Sequence, residues 1–352
     1  MMYSNFLKSV AVAGCLSTLA LAPAAQADVK LNGSGASFPF PIYAKWFKDF
    51  SKEHKDIRVD YQAKGSGAGI QDLINEVVDF AASDAAMKDD EMAQVEQGVV
   101  LLPMTAGEVV LAFNLDGIKE LKLPRDVYPE IFLGKITKWN DPKIAAANPD
   151  VDLPDEDITV VVRSDSSGTT YVFTGHLSYI DEAFKAEVGQ AKAPNWPDSD
   201  TFIKAPKNDG VTAQIKQIPG SIGYIEYGYA KLTNQPTAML ENKAGKFVAP
   251  GPESGAAALA SAEFPGGTLP NSDVPNLIAW VWDPAGEDAY PIATMTWLLL
   301  YQEQDDDKAA ALRKLVEYCT SEEAQGQADG LGYIPLPPEV IEKVRAAAEF
   351  VQ

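Results

Sequence analysis

The segment from Val161 to Thr170 reads VVRSDSSGTT and places a lone guanidinium, Arg163, at the end of a β-branched run. Small polar residues follow it, and then an amphipathic helix begins. A guanidinium in that position offers a fork for two oxygens of one anion. Ser167, Gly168 and Thr169 offer the unpaired N–H groups and hydroxyls of a helix start. The same device occurs twice more. In LNGSGASFPFPIYAKW, Ser37 and Phe38 stand just ahead of Pro39 and Pro41. Prolines there are preset for helix entry and lack an N–H that would be orphaned anyway. In YQAKGSGAGIQDLI, Ser66 takes a cap position. Three such mouths converging would make an anion cage. Taken singly, each loop reads first as a plain cap, and Arg163 as a surface ion-pair partner. Asp165 is then either that partner or the group that orients Arg163 within a site.

Other chemistries find less support. The chain contains no G-x-x-x-x-G-K-[ST] loop, and G-x-G-x-x-G fails because position 70 is Ile. It has no G-x-S-x-G elbow. Its two histidines, His54 in a polar helix tail and His176 inside a helical turn, read as structural or solvated. No spacing of ligand-type residues suggests a metal centre.

The elements that must carry the loops alternate between strand and helix, which predicts an α/β fold. Strands are expected at Val29-Leu31, Ile57-Tyr61, Val109-Asn114, Ile158-Arg163 and Ile222-Glu226. One helix presents Ile42, Trp46 and Phe50; a second presents Ile70, Leu73, Ile74 and Val77; a third presents Tyr171, Val172, Leu177 and Ile180. Two more run from about Lys308 to Thr320 and from Pro338 to Phe350. Pro291 to Tyr301 suits a buried strand or helix. Asp305-Asp306-Asp307 marks a solvated helix start, and Gly245 to Pro275 reads as surface connection, with a docking loop as the alternative.

Residues 1–27 have the pattern of an export signal: Lys8, an apolar stretch from Val10 to Ala22, and a small-residue site at Ala25-Gln26-Ala27. A mature chain starting at Asp28 is expected, exported to the periplasm. A lipoprotein anchored through Cys15 is the alternative, because Val12-Ala13-Gly14-Cys15 resembles a lipobox. Removing the signal takes away Lys8 and no acid, so the net charge moves from −21 to −22. Such a surface repels nucleic acid and anionic membrane. An anion must therefore be held by local dipoles and a buried cation. Only Cys319 would remain, which excludes an intrachain disulfide. The remaining length suits two domains.

The runs GSGASFPFPIYAKW, VDFAASDAAM, LGKITKWND, RSDSSGTTYVFT, PGSIGYIEYGYA and GEDAYPI occur in this order between about residues 30 and 345. Together they closely resemble the phosphate-binding proteins (PstS) of bacterial phosphate ABC importers. The departures are small. Ser37 stands where the family often has Thr, Ser166 replaces a common Gly, and IKAPKNDG is less glycine-rich than the usual loop before Asn208-Asp209-Gly210. The resemblance implies a two-lobed periplasmic binding protein of type II, each lobe a mixed β-sheet flanked by helices. Its two inter-lobe crossings would fall near Met104 and Tyr290, giving one lobe of 28–104 plus 290–352 and another of 105–289. It implies phosphate donors at Ser37, Phe38 and Ser66, a proton acceptor at Asp84, and a fork at Arg163 held by Asp165. Ser167, Gly168 and Thr169 would close the cage. It also implies a monomer that feeds the permease complex (PstC, PstA, PstB), without cofactor, metal or catalysis. Phosphate near neutral pH still has a proton to donate and sulfate has none, so Asp84 would select between them. A secreted phosphoryl hydrolase and a receptor for another oxyanion are the competing readings.

Overall fold

The computed structural model describes residues 29–352, so the export-signal and Cys15 readings lie outside the described residues. The expected α/β alternation is present. Eight strands form one mixed sheet in the spatial order Ile57–Ala63, Val29–Gly35, Phe80–Ser83, Ala293–Tyr301, Val99–Asn114, Ser221–Glu226, Thr159–Arg163, Phe202–Ala205. A small second sheet joins Lys122–Leu123, Met239–Glu241 and Phe247–Val248.

The large sheet is two half-sheets that share one strand. Residues 99–108 of Val99–Asn114 pair with Ala293–Tyr301, and residues 109–114 pair with Ser221–Glu226, both antiparallel. The partner changes between Glu108 and Val109, and the chain re-enters the first half-sheet at Ala293, opposite Glu108. Fifteen of the sixteen residues in the shared strand are buried, so it has no polar face and no period-two alternation. That is why its first half escapes a reading by periodicity. The segment 291–301 resolves as a strand whose nine residues are all buried.

Each half-sheet has a parallel strand flanked on both sides by parallel neighbours. Val29–Gly35 lies between Ile57–Ala63 and Phe80–Ser83, and Thr159–Arg163 lies between Phe202–Ala205 and Ser221–Glu226. In open α/β sheets such switch points open a crevice beyond the carboxyl ends of the strands. The loops around Ser37 and Arg163 leave from those two ends.

Helices fix the strands by burying one face. Phe40–Glu53 packs Ile42, Tyr43, Trp46, Phe47 and Phe50 into the core, and Trp46 Nε1 donates to the Ala324 carbonyl at 2.9 Å. Burial stabilises each such side chain by roughly 1.5–3 kcal/mol, which outweighs the weak helix preference of the aromatics. Asp305 caps the helix Asp306–Cys319, with Oδ1 accepting from the Asp307 and Lys308 amides, as the acidic run predicts. The segment 245–275 is more than a surface connection. It contains Phe247–Val248 and the helix Pro252–Leu259, and it buries Leu259, Leu269 and Val274.

Candidate anion site

Every residue expected to touch the anion lies at the carboxyl end of a parallel strand or in the first turn of the helix that follows. Ser37 and Phe38 come after Val29–Gly35, Ser66 after Ile57–Ala63, and Asp84 directly after Phe80–Ser83. Arg163 ends Thr159–Arg163, and Ser167, Gly168 and Thr169 open the helix Gly168–Ile180. All eight are buried, and they meet across the gap between the half-sheets.

Gly168 shows how close the meeting is. A Cβ at this position would lie 2.4 Å from Ser66 Oγ and 2.6 Å from Asp84 Oδ2, both from the other half-sheet. Gly65 plays a similar part on the opposite wall. It holds φ at 99°, a conformation open to glycine, and a Cβ there would fall 2.3 Å from Asp165 Oδ2. Gly65 is the cap residue of its helix and Ser66 the first helical residue, one place later than expected.

The donors form a graded set. Thr170 N–H is satisfied by Ser167 Oγ at 3.0 Å, Tyr171 N–H by the Ser167 carbonyl, and Ser167 N–H by the Lys192 carbonyl at 2.8 Å. That leaves the Gly168 and Thr169 amides as the open N–H groups of this helix start. The Ser167 amide is therefore committed elsewhere, and only its hydroxyl proton is available. Arg163 makes a two-point contact with Asp165, Nε to Oδ1 at 2.8 Å and Nη2 to Oδ2 at 2.6 Å. Its Nη1 is buried with no hydrogen-bond partner among the described residues. The edge formed by Nη1 and the second Nη2 proton remains free for an acceptor.

Asp165 is held in turn by the Lys207 amide at 2.9 Å. Lys207 adopts φ 60° to aim that amide, an uncommon conformation for a non-glycine residue. Against the upward push of burial, the Arg163 guanidinium and the Lys207 amide keep Asp165 below the usual carboxylate range. Its permanent negative charge fixes the guanidinium in place.

Asp84 has the opposite character. Burial pushes its carboxyl up to about 7, while Arg163 and the hydroxyls of Thr296, Thr169 and Ser66 hold it down. Thr296 donates to Oδ1 at 3.1 Å, and Thr169 approaches Oδ2 at 3.4 Å. A carboxylate so placed has an acceptor to offer any ligand that carries a proton.

Sequence reasoning missed Thr296, Tyr224 and the part played by Asn208. Tyr224 OH accepts from the Arg163 amide at 3.1 Å and pairs with Thr170 Oγ1 at 2.7 Å. Asn208 is fully buried and reaches Ser37 and Thr169 together, each at 3.1 Å. Asn208 shares the buried face of its helix with Val211, Thr212 and Ile215, so a polar residue there carries no distinguishing signal. Both histidines read as expected. His176 is buried between Tyr128 OH and the Trp282 carbonyl, with burial pushing it down to about 4, and His54 packs its ring on Phe50 at the end of a helix. Among the described residues no group of His, Cys, Asp and Glu could hold a metal ion, and no helix is long and apolar enough to cross a membrane.

Comparison with known proteins adds an independent line. A model of the PBP superfamily domain matches residues 22–323. The phosphate-binding protein PstS of Pasteurella multocida is 39% identical over 343 residues, covering 96% of this chain and 94% of the relative. That of Haemophilus influenzae is 38% identical, covering 94% and 95%. Among solved structures, a high-affinity periplasmic phosphate-binding protein bound with phosphate superposes with a TM-score of 0.73 at 21% identity, covering 90% of this chain and 93% of that one. This last likeness is one of fold, and it matches the two-half-sheet architecture described above.

Proposed function

The chain belongs to the PstS phosphate-binding proteins of the PBP superfamily, and from that premise we propose that it binds inorganic phosphate in the periplasm and delivers it to an ABC importer. The observation that carries the reading is the buried guanidinium of Arg163, whose Nη1 has no partner among the described residues. It lies within electrostatic reach of an acid that burial has pushed up to about 7. A buried cation calls for an anion, and a buried acceptor beside it calls for a proton on that anion.

In this reading Arg163 forks onto two phosphate oxygens through its free edge while Asp165 holds the opposite edge. The Phe38, Gly168 and Thr169 amides and the Ser37, Ser66, Ser167 and Thr169 hydroxyls donate to the remaining oxygens. Asp84 accepts the phosphate proton. Hydrogen bonds to charged groups contribute roughly 1.5–3 kcal/mol each before ordering and desolvation are subtracted. The set is ample for a micromolar or tighter constant, about −8 kcal/mol.

The donors come from both half-sheets, so the anion stabilises the closed arrangement over an open one, and differential contact drives closure. We assign residues 28–104 with 290–352 to one lobe and 105–289 to the other. The change of strand partner after Glu108 and the return at Ala293 support that division. A monomer docking on the permease complex (PstC, PstA, PstB) would then report occupancy as shape. The site holds the anion without transforming it: the nearby hydroxyls have amide or carboxyl partners, and His176 is bonded elsewhere.

Calorimetric titration of anion-stripped protein with phosphate and with sulfate tests the proposal. One phosphate per chain at micromolar or tighter affinity, with sulfate silent, is the expected result. Equal affinity for both would remove Asp84 from the cage, and turnover of a chromogenic phosphate ester would overturn the non-catalytic reading.

A further inference from the structure

We infer that Asn208 sets the direction of the Ser37 and Thr169 hydroxyls and so determines that they act as donors to the anion. The inference rests on the phosphate reading above and deepens it. Asn208 is the second residue of the helix Lys207–Gln217 and is fully buried. Its side-chain orientation is fixed by chemistry. Oδ1 lies 2.9 Å from the Glu226 amide, which can only donate, so the carbonyl must face Glu226 and the NH2 group must face the cage.

The two Nδ2 protons are then spent in full. One goes to Ser37 Oγ and the other to Thr169 Oγ1, each at 3.1 Å. Ser37 Oγ also receives the Asn208 backbone N–H at 3.1 Å. A hydroxyl oxygen has two lone pairs and one proton. With both lone pairs filled, Ser37 has nothing left but its proton, and it must donate. Thr169 keeps one lone pair and its proton, which turns toward Asp84 or toward an anion.

The consequence is selectivity by polarity. Hydroxyls are ambivalent and would otherwise accept from a protonated ligand oxygen. Asn208 removes that freedom from Ser37 and halves it for Thr169, which favours delivery of the ligand proton to Asp84. The residue also ties the two half-sheets together, since Ser37 and Asn208 come from opposite halves. A purely structural role would rest on that tie alone, and the test must separate the two.

Asn208→Asp keeps the shape and reverses the polarity, because a carboxylate accepts where the amide donates. Ser37 and Thr169 would turn their protons to it and away from the anion. The expected result is a phosphate Kd at least 100-fold weaker than the parent at pH 8. The deficit should shrink as pH falls and the introduced carboxyl group gains a proton to donate. Asn208→Ala removes the side-chain part of the tie without reversing polarity, keeps the backbone N–H to Ser37, and its deficit relative to the parent should stay flat with pH. Taking each ratio to the parent at the same pH cancels the titration of free phosphate. Thermal melts and circular dichroism confirm that each variant is folded. Matching, pH-flat deficits in the two folded variants would overturn the inference while leaving phosphate binding by the parent intact. Failure of the parent to bind phosphate would instead sink the underlying reading.

Discussion

Asp84 and Glu226 are both acids removed from solvent at the carboxyl end of a strand, yet they are built to different ends. Burial pushes both upward. Asp84 is checked at about 7 by Arg163 and three hydroxyls. Glu226 is driven well above the carboxylate range, receives the Gly228 amide on Oε1 at 2.8 Å, and faces another buried acid, Glu108, rather than a cation. The Tyr333 hydroxyl beside the carboxyl and the Gly228 amide only partly offset the upward push of burial. Glu108, pushed up to about 8 by burial, fastens Gly251 and Ser254 to the shared strand. Burial alone therefore does not mark a functional acid. The opposing cation and the ring of donors mark it.

The sharpest way to break this contrast is to remove the cation. Arg163→Ala should weaken phosphate binding by about 10³-fold or more, since it deletes the charge-assisted bonds and leaves Asp84 and Asp165 uncompensated. Calorimetry reads this directly, and a loss of tenfold or less would mean the anion sits elsewhere. Gly168→Ala comes next. Its Cβ would meet Ser66 Oγ and Asp84 Oδ2 and hold the half-sheets apart. About 10²-fold weaker binding is expected from displaced hydrogen bonds at near-normal stability. Small-angle scattering should then show an expanded form with phosphate present.

Asp84→Asn addresses selectivity more than affinity. Replacing an acceptor by an amide lets sulfate in, and the phosphate-to-sulfate ratio should fall by about 10²-fold. An unchanged ratio would sink the acceptor role. The parent should imitate the variant in part as pH falls through about 7, where Asp84 gains its own proton. The sign for stability follows from the raised value. Folded protein binds the Asp84 proton more tightly than unfolded chain does, so stability of the anion-free form declines as pH rises from about 4 to 7. Phosphate should offset that decline in a thermal melt. The smallest effect belongs to Glu226→Gln, which keeps the acceptor for Gly228 and supplies a neutral group in place of an acid. Phosphate affinity within about threefold of the parent is expected, because a protonated acid and an amide are close in shape and polarity.

Sequence made the cage loops legible because glycine, serine and proline are forced by backbone geometry at helix entries. Ser37, Gly168 and Thr169 stand where those signals put them, and Ser66 stands one place further into its helix. The fold class was legible from alternation, and four of the five expected strands were found to within a few residues. The first half of Val99–Asn114 was hidden: Pro103, Thr105, Gly107 and Glu108 dilute its strand character, and burial on both faces erases alternation. Phe80–Ser83 and Phe202–Ala205 were too short to show a period. Asn208, Thr296 and Tyr224 were hidden for another reason. Each acts on a partner far away in sequence, so no local pattern announces it.

The place of Ala293–Tyr301 also bears on how the chain is made. This late segment fills the interior position between Phe80–Ser83 and the shared strand Val99–Asn114. The first half-sheet cannot close until residues nearly two hundred positions downstream have been synthesised and threaded in. A nascent chain with this topology stays incomplete, with open strand edges for holding factors to cover, until its C-terminal end has emerged. The strand order thus delays the native state until synthesis is nearly over.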